Sequence, residues 1–220
     1  MITLINEKYW VVEHDTHFPN WITEANRLDH DQYVLPIILS HIKDGIILDI
    51  GANIGTHTYA YCEKVGKHKV IGFEPNPECA ECLRRNVPDC IVVEAALSDE
   101  DGECNMIYSD NVGASHVIDG VGIKKIKFDQ HVNLFKSLVK PQKVTFIKID
   151  IEGYEVKALN GMSQTIKKDK PIMWIEVNRG ALLRAKTSED ELLSLVESLG
   201  YKYTPYPYVD IQYDILCIPI

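Results

Sequence analysis

The stretch Ile46-Ile-Leu-Asp49-Ile-Gly51-Ala-Asn53-Ile-Gly55-Thr-His57-Thr58 decides how this chain folds. Ile46–Ile50 is apolar except for Asp49 and reads as a buried strand. The two glycines predict a tight turn after it, and Thr56–Lys64 reads as a helix. A buried strand leading through a glycine turn into a helix N-terminus offers backbone amides and the positive end of a helix dipole, which favour an acidic ligand group. Gly51 and Gly55 are expected to let the backbone approach that ligand, with Ala52 and Asn53 between them, and Asp49 is placed to take an ammonium group. In an open α/β sheet the crevice at such a strand's carboxyl end is the default ligand site.

Outward from this stretch, short apolar runs alternate with helical patterns. Strands are predicted at Val70–Phe73, Ile91–Leu97, Val144–Ile149 and Ile172–Val177. Helices are predicted at Glu78–Asn86 behind Pro77, at Tyr154–Lys167, and at Ser188–Leu199 before Gly200. Two last strands are read at Tyr201–Thr204 and Ile215–Ile218. Apolar strands separated by helices imply an α/β chain whose mostly parallel sheet is covered by helices on both faces. Residues 1–30 read as an N-terminal extension and 31–220 as one domain, with an insertion at 98–143. That insertion is predicted to hold a hairpin (Cys104–Tyr108 and Ile123–Phe128) and a helix at His131–Val139.

The 220 residues are 45% hydrophobic and 25% charged, with a net charge of −9, which is ordinary for a folded domain and argues against nucleic acid as a partner. The apolar stretch Tyr33–Ile42 is broken by Pro36 and is far shorter than the roughly 20 residues a membrane span needs. No apolar secretion signal follows Met1, so six scattered cysteines read as reduced thiols in a cytoplasmic protein. Cys79 and Cys82 form a Cys-x-x-Cys that is either a metal or redox pair or two residues of one helix; no second pair follows at zinc-site spacing. Residues 120–148 carry seven lysines, a patch that is either a solvated face or a hold for an anionic or phosphorylated acceptor.

Twenty-five residues after Asp49, the second strand ends Gly72-Phe-Glu74-Pro75-Asn76, where an acid can accept both hydroxyls of a ribose. A nicotinamide dinucleotide would prefer a glycine where Asn53 stands, and the chain lacks a Tyr-x-x-x-Lys pair. The pattern favours S-adenosylmethionine. In Lys148-Ile-Asp150-Ile-Glu152-Gly153, alternation puts Phe146, Lys148 and Asp150 on one face, with Asp150 at the strand end. Asp150 is a candidate to hold a ligand ammonium or orient an acceptor hydroxyl, and Lys148 to lower a neighbouring pKa. Glu152 either joins this site or satisfies the amides of a following helix. Glu176 and Asn178 end the next strand; with Asp150 they form either an oxygen-rich magnesium site or a hydrogen-bonded strand end, and magnesium is not favoured. His116 is a candidate general base or a solvated loop residue, and His57 a packed or capping one. His14 and His17 read either as a metal-binding pair or, more simply, as an exposed loop. Aromatics cluster at both ends (Tyr9, Trp10, Phe18, Trp21; Tyr201, Tyr203, Tyr206, Tyr208), where they either pack edges or stack on a sugar acceptor.

The blocks Leu48–Thr58, Gly72-Phe-Glu-Pro-Asn-Pro77 and Ile147-Lys-Ile-Asp-Ile-Glu-Gly-Tyr-Glu155 together resemble the FkbM family of S-adenosylmethionine-dependent methyltransferases, over about residues 31–180. Glu94-Ala-Ala-Leu-Ser98 and Phe128-Asp129 fit as well; Gly113-Ala-Ser115-His116 departs from the family's usual Gly-x-Ser-Ser. The resemblance implies a class I methyltransferase fold, Rossmann-like, with seven strands in the order 3-2-1-4-5-7-6 and the last antiparallel. It also implies O-methylation of a polyketide or carbohydrate hydroxyl, so the expected acceptor is a small molecule or glycan. Within that frame Gly51, Ala52 and Asn53 are expected at the donor's methionine part, Glu74 at its ribose, and Glu94 to Ala96 at its adenine. Two other functions are weighed against this: a dinucleotide-dependent oxidoreductase, and a binding module without turnover. Asp49, Glu74 and Asp150 speak against the last.

Overall fold

The structure is a computed structural model that describes residues 1–28, 33–66, 68–139, 143–209 and 212–220. A hairpin of β1 (Ile2–Ile5) and β2 (Tyr9–Val12) comes first, followed by α1 (Phe18–Ala25) and α2 (Leu35–His41). Then β3 (Ile46–Ile50), α3 (Thr56–Val65), β4 (Val70–Phe73), α4 (Pro77–Asn86) and β5 (Ile91–Val93) alternate. A second sheet is built from β6 (Ala96–Leu97), β7 (Gly102–Ile107) and β8 (His116–Ile126), and α5 (Phe128–Leu138) returns the chain. The rest is β9 (Val144–Ile149), α6 (Glu155–Gly161), α7 (Ser163–Asp169), β10 (Ile172–Asn178), α8 (Arg179–Arg184), α9 (Glu189–Ser198), β11 (Tyr201–Val209) and β12 (Gln212–Pro219).

The main sheet runs β5-β4-β3-β9-β10-β12-β11, which in chain order of its own strands is 3-2-1-4-5-7-6. β12 lies antiparallel to both β10 and β11, and the pairings from β10 through to β5 are parallel. β3 is buried at every position because helices cover both faces, which is why its sequence shows no polar alternation. One core includes Leu48, Ile147 and Ile175 with the Phe73–Phe128–Phe135 ring cluster. The other includes Ile47, Tyr61, Phe146 and Trp174, and Tyr9, Val11, Phe18 and Ile22 from the first 28 residues. Among the described residues no helix is long and apolar enough to cross a membrane.

Several boundaries differ from the sequence reading. The predicted third strand splits at Glu94: the Ala95 N–H bonds back to Val93 O at 3.0 Å, and Ala96–Leu97 leave the main sheet to pair with β8. The predicted helix over 154–167 is two helices broken at Met162, because Asp129 bonds the Gln164 and Thr165 amides (2.8 and 3.0 Å) and so starts a new helix. The insertion's hairpin is longer than expected, its second strand spanning eleven residues. The N-terminal hairpin, α1, α2 and α8 carry too few periodic positions to have been read from sequence. The expected domain boundary at residues 30 and 31 lies outside the described residues.

Candidate functional site

β3, β4 and β9 end side by side, and the chain leaves each through a turn. Above these ends lies a cavity of about 630 Å³, a volume usual for small-molecule sites. Its floor includes Asp49, Gly51, Ala52, Asn53, Glu74, Lys148, Asp150 and Glu152. Three carboxylates from three strand ends thus surround one glycine turn.

Asp49 is fully buried, and its Oδ2 accepts from Thr58 Oγ1 at 2.5 Å. Its Oδ1 is buried with no hydrogen-bond partner among the described residues. Burial pushes the Asp49 carboxyl up, against the pull of Lys148. An acceptor atom held dry and unsatisfied at a cavity wall is suited to an ammonium donor. Glu74 accepts at both oxygens, from the Asn53 amide through Oε2 and the Asn76 amide through Oε1, each at 2.8 Å. These bonds fix its carboxylate plane and leave each oxygen a second lone pair. Burial raises Glu74 to about 7 despite the two amides.

Register places Lys148 between Asp49 and Trp174. Its Nζ reaches Asp150 Oδ2 at 3.0 Å and donates to Gly51 O at 3.4 Å. Burial disfavours its charge, but the carboxylates of Asp150 and Asp49 outweigh that and raise its pKa. Asp150 is 40% exposed at the side chain. Burial would raise its pKa, and the Lys148 ammonium beside it outweighs this and holds it below the usual carboxylate range. Glu152 sits in the turn after Asp150 with φ of +54° and lies 3.6 Å from Arg184. Burial, then the charge of Asp150, raise it to about 7. The amide-capping duty that sequence offered to Glu152 falls to Glu155, whose Oε1 accepts from Gly153 and Ile151 at 3.0 and 3.3 Å.

The upper wall comes from the N-terminal segment, with Phe18, Trp21 and Tyr33, and from the insertion, with Gly113, Ser115 and His116. His116 is half-buried, and its Nδ1 bonds Ala114 O at 3.3 Å, so a neutral ring keeps Nε2 as its acceptor. His57 also lines the cavity.

Other candidates do not reach it. Glu94 is exposed and pairs with Arg84 at 2.8 Å, because the chain turns at Val93; Ala95, Ala96 and Leu97 line the cavity instead. Gly55 faces α4: a Cβ there would lie 2.8 Å from Leu83 and from Val87, so its small size serves helix packing. Gly51 has φ of +83°, and a Cβ would meet Asp150 O at 1.9 Å, so it permits the approach of β9 as well as lining the cavity. Glu176 lies behind Asp150, accepting from Gln212 at 2.5 Å, and burial first, then Asp150, push its pKa well up. Asn178 caps α8, accepting from Ala181 N at 3.1 Å, and does not line the cavity. Among the described residues no group of three His, Cys, Asp or Glu side chains could hold a metal ion.

Among the described residues the lysine-rich stretch is dispersed rather than gathered: Lys125 pairs with Glu100 and Lys136 with Asp169, both at 2.6 Å, and Lys148 lines the cavity. All six cysteines are free and buried, Cys79 and Cys82 within α4. Of the C-terminal aromatics, Tyr201 donates to Pro171 O and Tyr206 packs on Trp174, so they serve the sheet edge; the Tyr208 side chain lies outside the described residues. His17 is half-buried against Trp21, with ring centroids 3.8 Å apart, rather than exposed. Thr58, Glu155 and Asp15 were missed. Only Asp15 had a signal, an acid three residues before Phe18-Pro19, which is helix-capping spacing.

A parallel sheet with a reversed last strand and an acid-flanked glycine turn at its switch point defines the class I methyltransferase fold. The magnesium protoporphyrin IX methyltransferase of Synechocystis PCC 6803 shares that fold at a TM-score of 0.53 and 8% identity, covering 93% of this chain and 85% of that one. So does the methyltransferase FkbM of Methylobacillus flagellatus KT, at 0.52 and 19% identity, over 80% of this chain and 43% of that one. The model of the FkbM methyltransferase domain matches residues 49–203, and the chain belongs to that family. It is 28% identical over 156 residues to the hexuronic acid methyltransferase AglP of Haloferax volcanii, a match spanning 68% of this chain and 63% of that protein.

Proposed function

We propose that this protein binds S-adenosylmethionine in the cavity and moves its methyl group to a hydroxyl of a sugar, free or within a glycan. The observation that carries the reading is the pairing, in one cavity, of a buried unsatisfied Asp49 oxygen and a doubly anchored Glu74 with the Lys148–Asp150 ion pair. When bound, S-adenosylmethionine supplies a methyl group on a positively charged sulfur, open to in-line attack. Asp49 takes the ammonium, Glu74 accepts from the ribose hydroxyls, and Ala95–Leu97 pack on the adenine. Asp150, kept ionised by Lys148, accepts the hydrogen bond of the acceptor hydroxyl and takes its proton as the new bond forms. Lys148 keeps that carboxylate aimed across the cavity, and His116 and Glu152 flank the place of the acceptor.

Phe18, Trp21 and Tyr33 give the acceptor half flat apolar faces of the kind that stack on a pyranose. The name of the Haloferax volcanii relative supports a sugar acceptor. Residues 31–220 act as the catalytic domain, with residues from the N-terminal extension contributing to its acceptor wall. Calorimetric titration with S-adenosylhomocysteine and with NADH, followed by labelled-methyl transfer to a panel of saccharides, peptides and RNA, tests the reading. Binding of the first and transfer to a saccharide are expected. Binding of NADH alone would overturn the donor, and transfer only to peptide or RNA would overturn the acceptor.

A further inference from the structure

Asp15 is 6% exposed, lies outside the cavity floor, and makes three hydrogen bonds. Its Oδ2 accepts from Phe18 N at 3.0 Å, and its Oδ1 from both His17 N and Val112 N at 3.2 Å. Two of these amides open α1, which carries Phe18 and Trp21. The third belongs to the insertion, 97 residues away in sequence, and precedes Gly113, Ser115 and His116. One carboxylate therefore ties together the two segments that form the upper wall. Beside it, the Thr16 amide and hydroxyl both donate to Asp110 O, at 2.8 and 3.1 Å.

The insertion segment is already a unit. Ser109 N donates to Ser115 Oγ, Asn111 N to Ser109 Oγ, and Gly113 N to Asn111 Oδ1, at 3.1, 3.3 and 3.1 Å. β7 and β8 hold its two ends, and the Asp15 and Thr16 bonds set it against α1. A Cβ at Gly113 would lie 3.9 Å from both Phe18 and Asn53, so this unit stands between the aromatic wall and the glycine turn. If it moves, His116 and the ring of Phe18 move relative to Asp150.

We propose that Asp15 is a positioning residue for the acceptor: it clamps α1 to the 109–116 unit and so sets the distance between the aromatic wall and Asp150. This rests on the reading that the acceptor occupies that half of the cavity. A clamp of this kind changes how well the acceptor is held, while the donor pocket, built on β3 and β4, stays as it was.

The test measures hydrogen exchange, donor affinity and kinetics on the full chain for Asp15→Ala and Asp15→Asn. Asn keeps one carbonyl oxygen and so part of the clamp. For Asp15→Ala, exchange is expected to quicken together in residues 16–25 and 109–116 and to stay unchanged in β3 and β9. The acceptor KM should rise about tenfold or more with kcat within about threefold, and the S-adenosylhomocysteine Kd should stay within about twofold. Asp15→Asn should fall between that variant and the wild type, and it serves as the test variant if Asp15→Ala does not fold. Quickened exchange in only one of the two segments, an unchanged KM, or a loss of donor affinity in step with KM would each overturn the proposal. If the wild type methylates no saccharide, the sugar reading fails, and the coupled exchange and the KM for whichever acceptor it takes still decide the clamp.

Discussion

Replacing Glu74 by Gln separates donor binding from folding at a single position. The wild-type carboxylate accepts from the Asn53 and Asn76 amides at 2.8 Å each and offers its second lone pairs to the cavity. Gln has one oxygen and one NH₂, so one backbone amide must face a donor, at a cost of about 1–3 kcal/mol. Against this, burial has raised the Glu74 carboxyl from 4.5 to about 7, so an ionised Glu74 is itself costly to the fold at pH 8. The sign follows from proton binding. Between those two values the folded chain holds a proton the unfolded chain has lost, so acidification stabilises the wild type there. Gln lacks that gain. The variant's Tm deficit should therefore be small at pH 8, within about 4 °C, and larger at pH 5.5.

Donor affinity responds differently. A ribose diol loses one charge-assisted hydrogen bond, about 1.5–3 kcal/mol, which at about 1.4 kcal/mol per decade weakens Kd about 10- to 150-fold. Titration calorimetry with S-adenosylhomocysteine at pH 8 measures it. The wild-type Kd should also weaken as pH falls through about 7, while the variant's stays flat. A folded Glu74→Gln protein with wild-type Kd would refute the placement of the ribose.

Asp150→Asn should lower methyl transfer at least about tenfold, with Tm down by no more than about 4 °C as the half-exposed partner of Lys148 loses its charge. A normal rate in an otherwise folded variant would move the proton acceptor to His116. Gly161→Ala, normally favourable in a helix, should lower Tm by about 5 °C or more, since its Cβ would lie 1.9 Å from the Ser98 carbonyl oxygen; a raised Tm would show that α6 and the Ser98 strand end are not in contact. Glu74, Glu152 and Glu155 are all raised to about 7, so the unliganded protein should melt at a higher temperature at pH 6 than at pH 8. Scanning calorimetry that found Tm flat or falling on acidification would contradict the burial of these three groups.

The strands and helices of the main sheet could be read because their signals are local. Ile46–Ile50 is apolar, a proline or serine marks several helix starts, and the glycine turn sits beside a strand end. The cavity floor was legible for the same reason, since a strand's last residue has little freedom in where it points. What was misread involved distant partners. Glu94 follows a strand just as Glu74 does, yet Arg84 and the bend at Val93 turn it outward. Gly55 belongs to a glycine turn, yet α4 claims its bare Cα. Asn178 resembles a ligand, yet α8 begins at the next residue and turns its oxygen to the Ala181 amide three residues on.

The sequence by itself determined the layered α/β sheet, the glycine turn and the acids at the strand ends, because period, length and chain order are properties of neighbours along the chain. Only the tertiary structure decided which groups share a cavity and in what state. Asp15 meets Val112 across 97 residues, Lys148 stands opposite Asp49 in the sheet and pairs with Asp150, and the terminal aromatics divide into a cavity wall and a sheet edge. Such contacts depend on how elements dock, and docking is set by the volume and hydrogen-bonding demands of a whole core, which no single stretch of residues contains.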